Sequence, residues 1–110
     1  MAYDEDLAGR IRELLAGERV TEKRMFGGLA FLLGGHMSVA ASGRGGLMVR
    51  IDPDQTEALL AEPGATEFDM GGRGPMKGWL LVASEALNDD AALATWVERG
   101  VGYARSLPAK

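Results

Sequence analysis

The chain contains no cysteine and one histidine, His36. Disulfides, thiolate metal sites and cysteine nucleophiles are therefore excluded together, and an imidazole metal site has no second histidine to draw on. Ser38, Ser42, Ser84 and Ser106 stand outside any nucleophile-elbow context, and one histidine does not by itself complete a triad. Long apolar runs are missing too: Leu29 to Leu33 and Trp79 to Ala83 stop far short of the roughly 20 residues that span a bilayer. The N-terminus opens on Asp4, Glu5 and Asp6, where an export signal would place positive charge before an apolar stretch. The expectation is a soluble cytoplasmic protein with no membrane contact. Acids outnumber bases, 16 to 12, and the formal net charge of −4 weighs against generic nucleic-acid binding, which depends on cations displacing counterions.

What is abundant is glycine, with 16 in 110 residues. The spacing fails both phosphate-loop tests. Gly43-x-Gly45 needs glycine at 48 and finds Met48; Gly72-x-Gly74 needs it at 77 and finds Lys77, which is flanked by Met76 and Gly78, not by the Gly and Ser/Thr of a P-loop. The glycines instead separate short strand-like runs. Val20 to Phe26, Leu29 to Leu33, Met37 to Ala41 and Leu47 to Ile51 are divided by Gly27-Gly28, Gly34-Gly35 and Gly43 to Gly46, separators suited to tight antiparallel hairpins.

Helical periodicity flanks this run. Leu7, Ile11, Leu14 and Leu15 form an apolar stripe behind the acids at 4 to 6, which suit the positive end of a helix dipole, and Gly17 ends it. Asp52-Pro53-Asp54-Gln55 is a helix start, with Asp52 as cap, Pro53 where no amide donor is needed and Gln55 placed to close a capping box; this short helix ends before Pro63-Gly64. Strands around Glu67 to Met70 and Lys77 to Ser84 enclose the Gly71 to Pro75 loop. Asp89-Asp90 reads as a helix start, and Leu93, Trp96, Val97, Ala104 and Leu107 share one face of the last helix. The expected fold is α+β: one domain over 1–110, two layers, an antiparallel sheet with the N- and C-terminal helices on one face, and Leu7, Ile11, Leu14, Phe26, Trp96 and Val97 in one core. Trp79 is read as core, since Leu81 and Ala83 continue its face.

Arg24-Met25-Phe26-Gly27-Gly28, running into Leu29-Ala30-Phe31 and a second turn at Gly34-Gly35, resembles the first hairpin of the N-terminal domain of the TfoX/Sxy family of bacterial competence regulators. The resemblance extends from Tyr3-Asp4-Glu5-Asp6-Leu7 through Met76-Lys77-Gly78-Trp79 to Ala104-Arg105-Ser106-Leu107-Pro108. Full-length family regulators carry a further helical domain, and the sequence stops before one could begin, so the expectation is a stand-alone N-terminal domain. The resemblance implies a regulatory, non-catalytic module linked to transcription or competence.

Two candidate surfaces follow from the residues. Leu29 to Leu33 and Trp79 to Val82 are apolar on both alternating faces, so helices on one side leave a second apolar face for a homodimer or another protein. The alternative is a small-ligand or nucleic-acid site around the glycine loops, built from Arg24, Phe26, Gly27, Gly28, Arg44, Arg50, Arg73 and Lys77. On the plainer reading Arg24 pairs with a helix acid and Phe26 anchors the core. No catalytic group, metal ligand set or cofactor site is expected.

Overall fold

The computed structural model describes residues 3–25, 27–69 and 75–108. Helix α1 (Glu5–Leu14) is followed by strands β1 (Val20–Met25), β2 (Gly28–Leu33), β3 (His36–Ala41) and β4 (Leu47–Arg50). Then come a 3₁₀ turn at Pro53–Gln55, α2 (Thr56–Leu60), β5 (Ala65–Asp69), β6 (Pro75–Val82), a second 3₁₀ turn at Ser84–Leu87 and α3 (Asp90–Ser106). The strands form one antiparallel sheet in the order β1-β2-β3-β4-β6-β5.

Capping follows the sequence. The Asp4 carboxylate accepts from the amides of Asp6 and Leu7, Asp52 from Asp54 and Asp89 from Ala91, each satisfying donors that a helix start leaves open. Gln55 closes no capping box; it is the last residue of a 3₁₀ turn, and α2 starts after it without a side-chain cap. Gly27, Gly34, Gly35, Gly45 and Gly46 take positive φ in the hairpin turns, the conformation glycine enters without a steric penalty.

Helices α1 and α3 lie on one face of the sheet. Leu7, Ile11, Leu93, Trp96, Val97 and Val101 pack there against Leu29, Phe31, Val39, Leu47, Val49, Leu80 and Val82. Trp96 and Val97 take their expected core positions; Phe26 lies outside the described residues. Leu14 does not join the core. It is 44% exposed, while Leu15 is 5% exposed and Ala8 fully buried, because the buried arc of α1 runs from Leu7 through Ile11 and Leu15 to Ala8 and leaves Leu14 beyond its edge. Helix α3 lies directly against the sheet at Gly100, where a Cβ would collide with the Ser38 carbonyl and come 2.7 Å from Val39 Cγ1.

The strand register is interrupted in two places. Between β2 and β3 the register shifts at Phe31/Leu32, so that Phe31 faces Val39 but Leu32 faces Met37. Ser38 is the extra residue, fully buried, and its hydroxyl donates to the Phe31 carbonyl at 2.9 Å. Met37 and Val39 therefore point to opposite faces although two residues apart. Between β5 and β6 the register shifts between Glu67 and Asp69. Phe68 lies in that interval and packs, 5% exposed, on the face away from the helices.

Candidate interaction site on the second sheet face

The face opposite the helices carries its own apolar cluster. Ala30, Ala40, Met48 and Phe68 are buried, and Leu32, Met37, Trp79 and Leu81 pack around them half-buried. Among the described residues no helix packs against this cluster. The face is nevertheless not bare: small alanines at its centre sit below larger neighbours, and Phe68 comes in from the edge strand to close part of it. Trp79 belongs here and not to the main core; Leu81 continues its face as expected, whereas Ala83 follows the end of β6.

Cross-strand partners share a face, so the register identifies the other occupants. Thr21 and Lys23 lie opposite Leu32 and Ala30, Thr66 opposite Leu81, and Arg50 opposite Trp79. Every charged side chain among the described strand positions of this face is a cation. The Arg50 guanidinium sits 5.4 Å from the Trp79 ring centroid and 5.6 Å from that of Tyr103 in α3, and Arg44 lies 5.8 Å from the Phe68 ring. Such placements over an aromatic face are electrostatically favourable. They also occupy the rings.

Charge on the helical layer is arranged differently. Arg12 and Glu22 make a two-point pair at 2.7 and 2.9 Å between α1 and β1, and Arg10–Asp90, Arg99–Glu62 and Arg105–Glu18 tie helices to loops and to one another. Hydrogen bonds from Arg12 hold the Glu22 carboxyl below its ordinary value of 4.5, and the same contact raises Arg12. The cation of this strand–helix pair is thus on the helix and the acid on β1. Arg24, expected to meet a helix acid, is exposed and makes no ion pair among the described residues.

The glycine-loop site assembles only in part. Gly27 and Gly43 touch, since a Cβ on Gly43 would fall 2.5 Å from the Gly27 carbonyl, and Gly28 runs tight against the Ala41 carbonyl. The β1–β2 and β3–β4 turns therefore meet at one end of the sheet, with Arg24 and Arg44 nearby in sequence. Arg50 stands at the opposite end of β4. Phe26, Arg73 and the Lys77 side chain lie outside the described residues.

Two further features have structural duties. His36 Nε2 lies 2.6 Å from the Pro108 carbonyl; a carbonyl only accepts, so Nε2 carries the proton and the ring tethers the segment after α3 to the β2–β3 turn. A cleft of about 430 Å³ between the start of α1 and the Ser84–Leu87 turn is lined by Asp4, Asp6, Arg10, Ser84 and Asn88 with Leu7 and Leu87. Its main polar groups are already engaged, Asp4 as a cap and Arg10 on the Leu87 carbonyl at 2.7 Å and Asp90 at 2.9 Å.

A family model of the TfoX N-terminal domain matches residues 13–104. The chain belongs to that family. The match runs from the last turn of α1 to the last turn of α3 and includes the whole sheet, so the two-faced sheet lies within the part that defines membership. Neither a search of curated proteins nor one of solved structures gives a match. Among the described residues no helix is long and apolar enough to cross a membrane.

Proposed function

We propose that this TfoX N-terminal domain is a non-catalytic interaction module of the bacterial cytoplasm that works in transcriptional or competence regulation by presenting its second sheet face to another protein surface. The observation that carries this reading is the second apolar cluster itself. Leu32, Met37, Trp79 and Leu81 form a half-buried patch on a sheet whose helices all serve the other side, and side chains of this kind gain by leaving water when a complementary surface closes over them.

The test uses Leu32→Lys, at a half-buried position outside the helical core, and Arg24→Glu, an exposed change on the other face. Recovery of bound proteins from the native host is compared for wild type and both variants, with self-association followed in parallel by sedimentation. The expected result is a stoichiometric partner, or a dimer, seen with wild type and Arg24→Glu and lost with Leu32→Lys while circular dichroism stays native. Equal association by all three proteins, or none by any, overturns the reading.

A further inference from the structure

On the reading of the second face as an interaction surface, we infer that its partner is an acidic amphipathic helix of another protein, and not a second copy of this chain. Charge decides between them. Lys23 and Arg50 belong to this face and meet no carboxylate among the described residues, while cations of the helical layer such as Arg10, Arg12 and Arg105 are matched. A two-fold dimer through the same patch sets cations against cations, a juxtaposition that costs affinity. A partner with Glu or Asp flanking an apolar stripe supplies the missing charge.

Size points to a helix. Leu32, Met37, Arg50, Trp79 and Leu81 come from the four neighbouring strands β2, β3, β4 and β6, which at about 4.8 Å spacing span roughly 14 Å. An α-helix with its side chains is about 10–12 Å across, so one helix covers most of that width and its polar flank is left beside Lys23 at the β1 edge. Methionine and leucine are side chains that repack around such an apolar stripe. Single-stranded nucleic acid is the poorer fit, because base stacking needs an open ring. Phe68 is 5% exposed, and Trp79 is half-buried beside Arg50.

The experiment is a display selection on the full chain. The library holds 16-residue amphipathic helices with a Leu/Ile/Phe stripe and a polar face randomised over Glu, Asp, Lys, Arg, Ser and Gln. Enrichment of Glu and Asp beside the stripe is expected. The selected peptide, labelled, should bind at least ten-fold tighter than its Glu-to-Lys counterpart and lose at least five-fold in affinity to Lys23→Glu. Lys23 is exposed, so that variant folds; Arg24→Glu on the other face is the control and should lose less than two-fold. Added salt should weaken binding. Enrichment without charge preference, or a labelled oligonucleotide bound more tightly than the peptide, overturns the inference. A dimer abolished by Leu32→Lys with no peptide selected also overturns it, while leaving the interaction reading in place. Absence of both dimer and peptide removes the two together.

Discussion

The two faces of this sheet are built from the same strands and differ in almost every other respect. On the first, branched and bulky side chains interlock with α1 and α3, and among the described residues four arginine–glutamate or arginine–aspartate pairs brace the helical layer, with Arg24 left outside them. On the second, alanine and methionine dominate the buried centre, the larger apolar groups are half-buried, and the charges at the described strand positions, Lys23 and Arg50, are of one sign. The first face looks finished within the chain, like a core; the second resembles half of an interface, apolar at its centre with a charged rim. Stability should therefore be concentrated on one face and association on the other.

The strongest way to break this division is Trp96→Ala. Trp96 is 4% exposed in the helical core, and truncation of a large aromatic there should cost roughly 3–5 kcal/mol, measured by urea denaturation; a loss under about 1 kcal/mol would mean the first face does not hold the fold. Gly100→Ala comes next. The added methyl meets the Ser38 carbonyl and Val39, so α3 must shift, at about 1–3 kcal/mol by the same measurement. Leu32→Lys should cost less than about 1.5 kcal/mol, since the side chain is only half-buried and the ammonium can reach water, while abolishing association in sedimentation. Loss of the fold instead would make the second face a core like the first.

The smallest effect concerns Glu22. Its carboxyl is held below 4.5 by Arg12, so its contribution to stability is complete above the ordinary carboxyl pKa and is lost as pH falls through its lowered value. Glu22→Gln should therefore lower the denaturation midpoint slightly at pH 7, and the difference from wild type should vanish in strong acid. Because the pair is exposed, 0.5 M salt should shrink it. A midpoint difference unchanged by pH would show that the pairing does not matter.

Much of the first face was legible in the sequence. The 3.6-residue period of Leu7 and Ile11 and of Leu93, Trp96 and Val97 marks the sides of α1 and α3 that the core takes up, and the glycine pairs mark the hairpins. The second face was visible only in outline, from strands apolar on both sides. Its exact membership was hidden in part by a bulge: Ser38 reverses the alternation between Met37 and Val39, whereas Phe68 keeps the two-residue period of Thr66. A two-residue period cannot report an inserted residue. The contacts of Arg50 with Trp79 and Tyr103 were equally out of reach, since they join residues distant in sequence through side chains alone. The expectation for Arg24 failed because charge counting along a strand does not reveal that Glu22, two positions earlier, is the residue within reach of α1.

Gly100 and Gly102 are two glycines of one helix with opposite freedom to change. A side chain at 100 runs into the sheet backbone, whereas one at 102 meets nothing within 4 Å. Drift at position 102 is thus cheap and even favoured, alanine there adding up to about 1 kcal/mol of helix propensity, while drift at 100 demands that the whole helix be reseated. Among relatives of this chain, residue 100 should mark where α3 rests directly on the strands, and a larger residue at that position should be accompanied by compensating changes around Ser38 and Val39.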